Sequence, residues 1–377
     1  MDFDFTDDQN SLRDAVTRWV EKGYPFERRH ALAKAGGRTR DVMTELAELG
    51  LTGLRVPEDH GGMGMGAVEA MVVMEELGRG LVSAPYAAAA LVAPALLREA
   101  PGEVQANWLP RMASGEAVVV PALQERAARY RLAHVATRAR REGERWVLDG
   151  QKSVVPAADE ADAFIVPARL EGPVGDESGI GLFVVDPRTS GVNVRPYATQ
   201  DGARAGELLL TAAAGTLLVA DGFQLIEQAA DIGIAAACAE GVGLMDRYIA
   251  ITVEYMNTRK QFGVPIATFQ ALRHRIADVK MQLELGRSMS YYATLKLGEP
   301  RAARRRALSQ AKVQLGHSMR YVGQQCTQLH GGIGVTDEYI GSHYFKRLTM
   351  LEMAWGDTMH HLGEVSTRMQ DTAGVFA

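Results

Sequence analysis

Tyr255-Met256-Asn257-Thr258-Arg259-Lys260-Gln261-Phe262-Gly263-Val264-Pro265-Ile266 is the stretch around which the 377-residue chain is organised. It lies between a long apolar run, Ala229 to Met256, and a second periodic segment from Leu272. The pattern predicts a helix end, a break at Gly263 and Pro265, and a new helix, because glycine tolerates unusual backbone angles and proline cannot continue a helix from within. Arg259 and Phe262, three residues apart, are expected on one helical face. A guanidinium beside an aromatic ring suits a nucleotide diphosphate, since the fork pairs with phosphate oxygens while the ring packs on sugar or base. The spacing alone fits an ordinary helix C-terminus, with cations complementing the macrodipole, at least as well.

A second stretch changes that balance. Gln328-Leu329-His330-Gly331-Gly332-Ile333-Gly334-Val335-Thr336-Asp337-Glu338-Tyr339 closes another helical run and packs three glycines into four positions. Such a loop lets backbone N–H groups come close to a bound group, although a plain helix cap and turn has the same composition. Together, in this order and separation, the two stretches resemble the acyl-CoA dehydrogenase flavoprotein family. In that family an R-x-Q-F-G-x-P-I segment and a Q-x-x-G-G-x-G segment of one subunit hold the adenosine and pyrophosphate end of an FAD shared with a neighbour. The resemblance implies cofactor-binding roles for Arg259, Phe262, Gln270, Gln328, Gly331 and Gly332, and no metal.

Composition is compatible with this. Hydrophobic residues at 47% and charged residues at 23% are ordinary for a soluble globular protein. A net charge of −5 argues against a nucleic-acid partner, whose binding relies on clustered positive charge. The two cysteines, Cys238 and Cys326, sit in apolar helical contexts and make neither a disulfide framework nor a metal site. The acidic start, Met1 to Asp8, is unlike a signal or transit peptide, and no apolar run reaches the ~18 residues of a membrane span. A cytoplasmic protein is expected.

Along the chain, amphipathic helices are expected after the Thr6/Gln9 capping box, from Asp41 to Leu49, from Ala67 to Leu77 and from Tyr86 to Leu97. Trp108-Leu109-Pro110 and Gly115 close this region. Glu58, Asp59 and His60 are contiguous in a glycine-rich turn without metal-ligand spacing, so they read as a solvated loop. Short strand-like runs follow from Val118 to Ala220, with Arg145–Leu148 separated from Lys152–Pro156 by Asp149-Gly150, and Glu207–Leu210 separated from Leu217–Ala220. Helices resume at Phe223, the last from about Thr349 to Met369. The expected class is α+β: an N-terminal helical domain over 1–115, a β-barrel or sandwich over 116–222, and a C-terminal four-helix bundle over 223–377.

The family reaction implied by the resemblance needs a carboxylate to remove a proton beside a thioester, a flavin to take hydride from the next carbon, and hydrogen-bond donors for the enolate oxygen. The usual base lies in a Y-E-G-T segment. Here the corresponding stretch is Glu352-Met353-Ala354-Trp355-Gly356-Asp357-Thr358, with Gly356 or Trp355 in the base position according to the direction of counting. The alternative base position of some relatives falls on Gly233. Asp357 is the one carboxylate adjacent to either position, and it equally suits a helix cap. The β-domain departs too. Leu123-Gln124-Glu125-Arg126 replaces L-T-E-P, and Lys152-Ser153-Val154-Val155-Pro156 replaces K-x-W-I-T, losing the aromatic at Val154 and the hydroxyl at Pro156. Kept adenosine-side motifs with a degraded flavin-ring side resemble small subunits of two-component acyl-CoA dehydrogenases, pimeloyl-CoA dehydrogenase among them. The implied partners are an acyl-CoA, electron-transfer flavoprotein and a large subunit in a dimeric or tetrameric assembly. Two other readings are a self-sufficient dehydrogenase using Asp357 and a flavin monooxygenase of the same fold.

Overall fold

Thr6 opens the first helix with the expected capping box: its hydroxyl accepts the Gln9 N–H at 3.2 Å, and the Gln9 side chain accepts the Thr6 N–H at 3.0 Å. The structure, a computed structural model, describes residues 4–369, so the Met1–Phe3 part of the acidic start lies outside it. In chain order the N-terminal helices are α1 (Asp7–Gly23), α2 (Phe26–Lys34), α3 (Arg40–Glu48), α4 (Ala67–Arg79), α5 (Ala93–Leu97, led in by a π-helical turn) and α6 (Gly102–Ala113). Strands β1 (Val119–Pro121), β2 (Arg138–Glu142), β3 (Arg145–Pro156), β4 (Ala163–Arg169), β5 (Ile180–Val185), β6 (Val192–Ala198) and β7 (Arg204–Val219) follow. The C-terminal part is α7 (Phe223–Thr258), a hairpin of β8 (Lys260–Gln261) and β9 (Val264–Pro265), α8 (Gln270–Lys296), α9 (Arg301–His330), α10 (Ile340–Met353) and α11 (Thr358–Thr367). The chain packs as two units. One holds the residues up to Arg29, Ala67–Val82 and those from Ile234 on; the other holds His30–Gly66 and Ser83–Gly233.

The first unit is a helical bundle. Its core is built from Cys238, Val242, Met245, Leu283, Leu315 and Met319, on α7, α8 and α9. Glycine decides how closely α4 and α7 approach: a Cβ on Gly243 would lie 1.8 Å from the Glu75 carbonyl oxygen, and one on Gly78 would lie 2.3 Å from that of Glu240. Glu240 then accepts two bonds from the Arg347 guanidinium, at 2.6 and 2.9 Å, which ties α7 to α10.

In the second unit the sheet closes on itself as a barrel. β4 pairs with β2, β2 with β3, β3 with β7, β7 with β5, and β5 returns to β4. β6 extends it beside β7, and β1 beside β4. β4 and β5 are buried along their whole length, which accounts for their continuous apolar runs.

Four expectations are corrected. Asp149-Gly150 does not end a strand; Gly150, at φ +154, lets β3 continue past Thr137, whose Oγ1 would lie 2.6 Å from a Cβ there. β7 likewise runs unbroken from Arg204 to Val219. Pro110 lies inside α6 rather than closing it. The final helix is two: Trp355 at φ +60 and Gly356 at φ +109 break the ladder, and Asp357 caps α11.

Candidate functional site

α7 ends at Thr258, so Arg259 and Phe262 do not share a helical face. Arg259 donates its N–H to the Tyr255 carbonyl at 2.8 Å, and its own carbonyl accepts the Ile266 N–H at 2.9 Å, which closes the base of the hairpin. Phe262 and Gly263 form the two-residue turn between β8 and β9, with φ +55 and +83, the left-handed pair that matches strand twist. An aromatic residue rarely adopts this conformation. Phe262 stands 91% exposed at the tip, with Phe269 edge-on at a centroid distance of 6.1 Å. Gln270, exposed, begins α8.

A small core of Met256, Ile266 and Leu329, with Tyr255 and Leu272 packed on it, joins this hairpin to the end of α9. The two sequence stretches are thereby brought together. Gln328 is exposed in the last turn of α9, and its carbonyl accepts the Gly331 N–H. Gly331 needs its freedom, at φ +65 and ψ −143. Gly332 does not: its φ is ordinary, and a Cβ there would meet nothing within 4 Å. Behind the loop, His330 is buried and held neutral by burial. Its Nδ1–H donates to the Cys326 carbonyl at 2.8 Å, so Nε2 accepts from the Tyr339 hydroxyl at 2.9 Å.

The β-domain residues form a different kind of arrangement. Glu125, 5% exposed, accepts the Lys152 ammonium at 2.7 Å, the Ala136 N–H at 2.7 Å, and the Thr137 N–H and hydroxyl at 3.0 and 2.7 Å. Burial pushes the fully enclosed Lys152 down to about 8 against the pull of Glu125. Burial acts to raise the Glu125 carboxyl, but the ammonium and the Thr137 bonds outweigh it and hold it below its ordinary range. Beyond Lys152 the strand bulges, and Val154 sits at φ +54, 46% exposed. Beside it Glu207 accepts from the Ser153 hydroxyl at 2.7 Å, the Gln151 amide at 3.0 Å and the Tyr197 hydroxyl at 3.2 Å.

The loop between α10 and α11 holds the candidate base positions. The Asp357 carboxylate accepts the His360 N–H at 2.8 Å, as the N-cap of α11. At Gly356 a Cβ would lie 2.6 Å from both the His360 and His361 rings, so this position is closed to a glutamate. Gly233 lies within α7 and offers no side chain. Three buried groups hold the loop. The Lys312 ammonium, fully enclosed, donates to the carbonyls of Leu351 at 3.0 Å, Glu352 at 2.8 Å and Gly356 at 2.8 Å. Glu352 accepts the Thr358 N–H at 3.1 Å and its hydroxyl at 2.7 Å. His361 donates from Nε2 to the Trp355 carbonyl at 3.0 Å.

Sequence reading missed Lys312 and His361. A signal existed: Lys312 falls on the apolar stripe Leu308, Leu315, Met319, where a charge must be satisfied internally.

Comparison with known proteins matches residues 6–116 to the acyl-CoA dehydrogenase N-terminal domain, 122–212 to its middle domain and 220–370 to its C-terminal domain. The chain is similar to the acyl-CoA dehydrogenase FadE27 of Mycobacterium tuberculosis, 27% identical over 99% of this chain and 100% of that protein. Among solved structures it is similar to the ChsE4–ChsE5 complex of Mycobacterium tuberculosis, with 26% identity and a TM-score of 0.88 over 99% of this chain and 100% of the other. It is similar also to a Tcur3481–Tcur3483 steroid ACAD variant, with 27% identity and a TM-score of 0.87 over 97% and 99%.

Proposed function

From the premise that the chain belongs to the acyl-CoA dehydrogenase family, whose members are FAD flavoproteins, we propose that it serves as one subunit of a heteromeric enzyme that dehydrogenates an acyl-CoA thioester between its α and β carbons. The observation that carries this reading is the contrast at Gly332 and Val154. Gly332 lacks a side chain that nothing in this chain forbids, in a loop next to an exposed guanidinium and an exposed ring, which fits a diphosphate and adenosine approaching from outside. Among the described residues the Arg259 side chain makes no ion pair or hydrogen bond, so its fork is available for phosphate oxygens. Val154 and Pro156 offer neither the ring nor the hydroxyl that the family resemblance sets against a flavin ring at these positions, which supports a ring pocket supplied by a partner.

Bound FAD supplies the hydride acceptor. Toward it, Arg259, Phe262, Gln270, Gln328, Gly331 and Gly332 would hold the adenosine diphosphate half, and a large subunit would supply the ring pocket and the base. The two-protein complexes among the relatives support a heteromer, and the steroid named for one of them sets an alicyclic acyl-CoA as the first substrate to try. Electron-transfer flavoprotein is the proposed acceptor. The same reading assigns residues 1–115, 116–222 and 223–377 to the helical, β and bundle domains. Among the described residues no helix is long and apolar enough to cross a membrane; a cytoplasmic place is part of the same proposal. A self-sufficient dehydrogenase with Asp357 as base is the weaker alternative, because that carboxylate already caps α11.

The test is an absorbance spectrum of the protein purified alone and after co-expression with a large subunit. Flavin is expected in the complex and at most weakly in the single chain. Stoichiometric flavin in the single chain, reduced by an acyl-CoA, would overturn the reading.

A further inference from the structure

The loop between β1 and β2, residues 122–137, contains the run Glu125-Arg126-Ala127-Ala128-Arg129-Tyr130-Arg131. From Arg126 to Arg138 the sequence has four arginines, one histidine and no carboxylate, in a chain whose net charge is −5. Arg126, Arg129, Arg131 and Arg138 are all exposed, and among the described residues their guanidinium groups make no ion pair or hydrogen bond. We propose that this loop is a docking surface for a protein face bearing clustered carboxylates, that of the large subunit in the heteromer proposed above.

The loop is held from within. One buried carboxylate pins its far end, since Glu125 accepts the Ala136 N–H at 2.7 Å and the Thr137 N–H at 3.0 Å. The Gln124 carbonyl accepts the Ser153 N–H at 2.8 Å, which ties the near end to β3. Arg169, at the end of β4 and 2% exposed, donates to the carbonyls of Ala133 at 3.0 Å and Val135 at 3.1 Å. The same guanidinium reaches the carbonyls of Asp176 at 3.0 Å and Ser178 at 2.9 Å. Arg129 sits at φ +50, a left-handed conformation that a non-glycine residue keeps only where its surroundings enforce it. The frame is thus closed on itself, while the cations it holds outward are not. Donors fixed in place before binding lose little freedom when a partner arrives. The arginine fork pairs with a carboxylate through two bonds at once, and arginine is enriched in protein interfaces. Charge selects the occupant. A second copy presenting the same face would set like charge against like, and the net charge of −5 opposes a nucleic acid or an anionic membrane.

The inference rests on the heteromer reading, and its test separates the two. In the co-expressed complex with the large subunit, Arg126→Gln with Arg129→Gln is compared with Arg141→Gln with Arg145→Gln. Arg141 and Arg145, on the hairpin of β2 and β3, are also exposed and also without a side-chain partner among the described residues, so both pairs remove the same charge. Subunit dissociation on dilution is followed by analytical ultracentrifugation at low and high salt. The loop pair is expected to raise the dissociation constant about tenfold at low salt, with the gap closing as salt screens the contact, and the hairpin pair to change it by less than about twofold. Equal effects of the two pairs mean that net charge alone matters, and they overturn the docking site. A complex of unsubstituted chains that is indifferent to salt overturns it too, without recourse to any variant. A loop that binds inorganic pyrophosphate while the complex ignores Arg126 and Arg129 is a small-anion site, and the protein-docking inference fails. If the unsubstituted chains form no complex at all, the heteromer reading fails and the inference falls with it.

Discussion

The hairpin with its glycine loop and the bulged strand β3 each hold a non-glycine residue at nearly the same left-handed φ, +55 at Phe262 and +54 at Val154. They differ in what surrounds that residue. Around Val154 the polar groups are satisfied by one another: Lys152 by Glu125, Glu125 by Thr137 and Ala136, Glu207 by Ser153, Gln151 and Tyr197. Around Phe262 they are not. Arg259, Gln270, Gln328 and Gly332 all face outward, and the ring itself is 91% exposed. A region whose parts answer one another needs nothing further to be stable. A region whose costly features find no explanation inside the chain fits the binding role proposed for it.

The largest expected effect tests the self-contained frame. Lys152→Met leaves a buried, multiply hydrogen-bonded carboxylate without its cation and should cost about 3–5 kcal/mol in a denaturant titration. The frame also sets an acid limit. Glu125 has its folded pKa below its unfolded value, so its contribution is present above the ordinary carboxylate range and is lost as the pH falls through the lowered value. The melting temperature of the wild type should therefore fall with acidification in that window. If Lys152→Met melts with the wild type across the pH range, the frame is not what holds β3.

Next comes the outward surface. On the proposed assignment, Arg259→Ala removes a charge-assisted contact to the diphosphate worth about 1.5–3 kcal/mol, roughly tenfold to a hundredfold in flavin retention by the complex with the large subunit. The exposed guanidinium ties no helix to another, so melting should not change. Unchanged flavin content with a lower melting temperature would reverse the contrast and make Arg259 a structural tie.

A smaller effect of opposite sign is expected at Val154. A β-branched residue at φ +54 is strained, and at 46% exposure its apolar burial is modest. Val154→Gly should stabilise the chain by about 0.5–1 kcal/mol, after allowing for the entropy of glycine. A loss of stability would mean that the valine packs against something essential.

The smallest change decides the role of Asp357. Asparagine caps a helix about as well as aspartate, so Asp357→Asn should alter stability by only a few tenths of a kcal/mol. The rate of the complex should likewise be unaffected. A fall of about a hundredfold or more would identify Asp357 as the general base.

The helical, β and helical succession was legible because composition and period change sharply near Val118 and Phe223. The motif residues were legible as types. Their arrangement was not, and Arg259 with Phe262 is the instructive failure. Three-residue spacing implies one face only while a helix lasts, and the helix stops at Thr258 because Phe262 and Gly263 turn a hairpin. The loop at Trp355 was misread for a related reason: no local signal announces that Lys312, 39 and 40 residues upstream of the Leu351 and Glu352 carbonyls, will cap the end of α10.

Local pattern and residue chemistry by themselves determined the fold class and the order of the elements. Only the tertiary structure decided which groups answer one another: the Glu125 and Lys152 pair, the meeting of Met256 and Ile266 with Leu329, and the enclosure of Lys312 among three carbonyls. Periodicity and turn chemistry act over a few residues, so a sequence displays them openly. Desolvation and hydrogen-bond satisfaction act between groups far apart in the chain, and their outcome exists only once packing has removed the water.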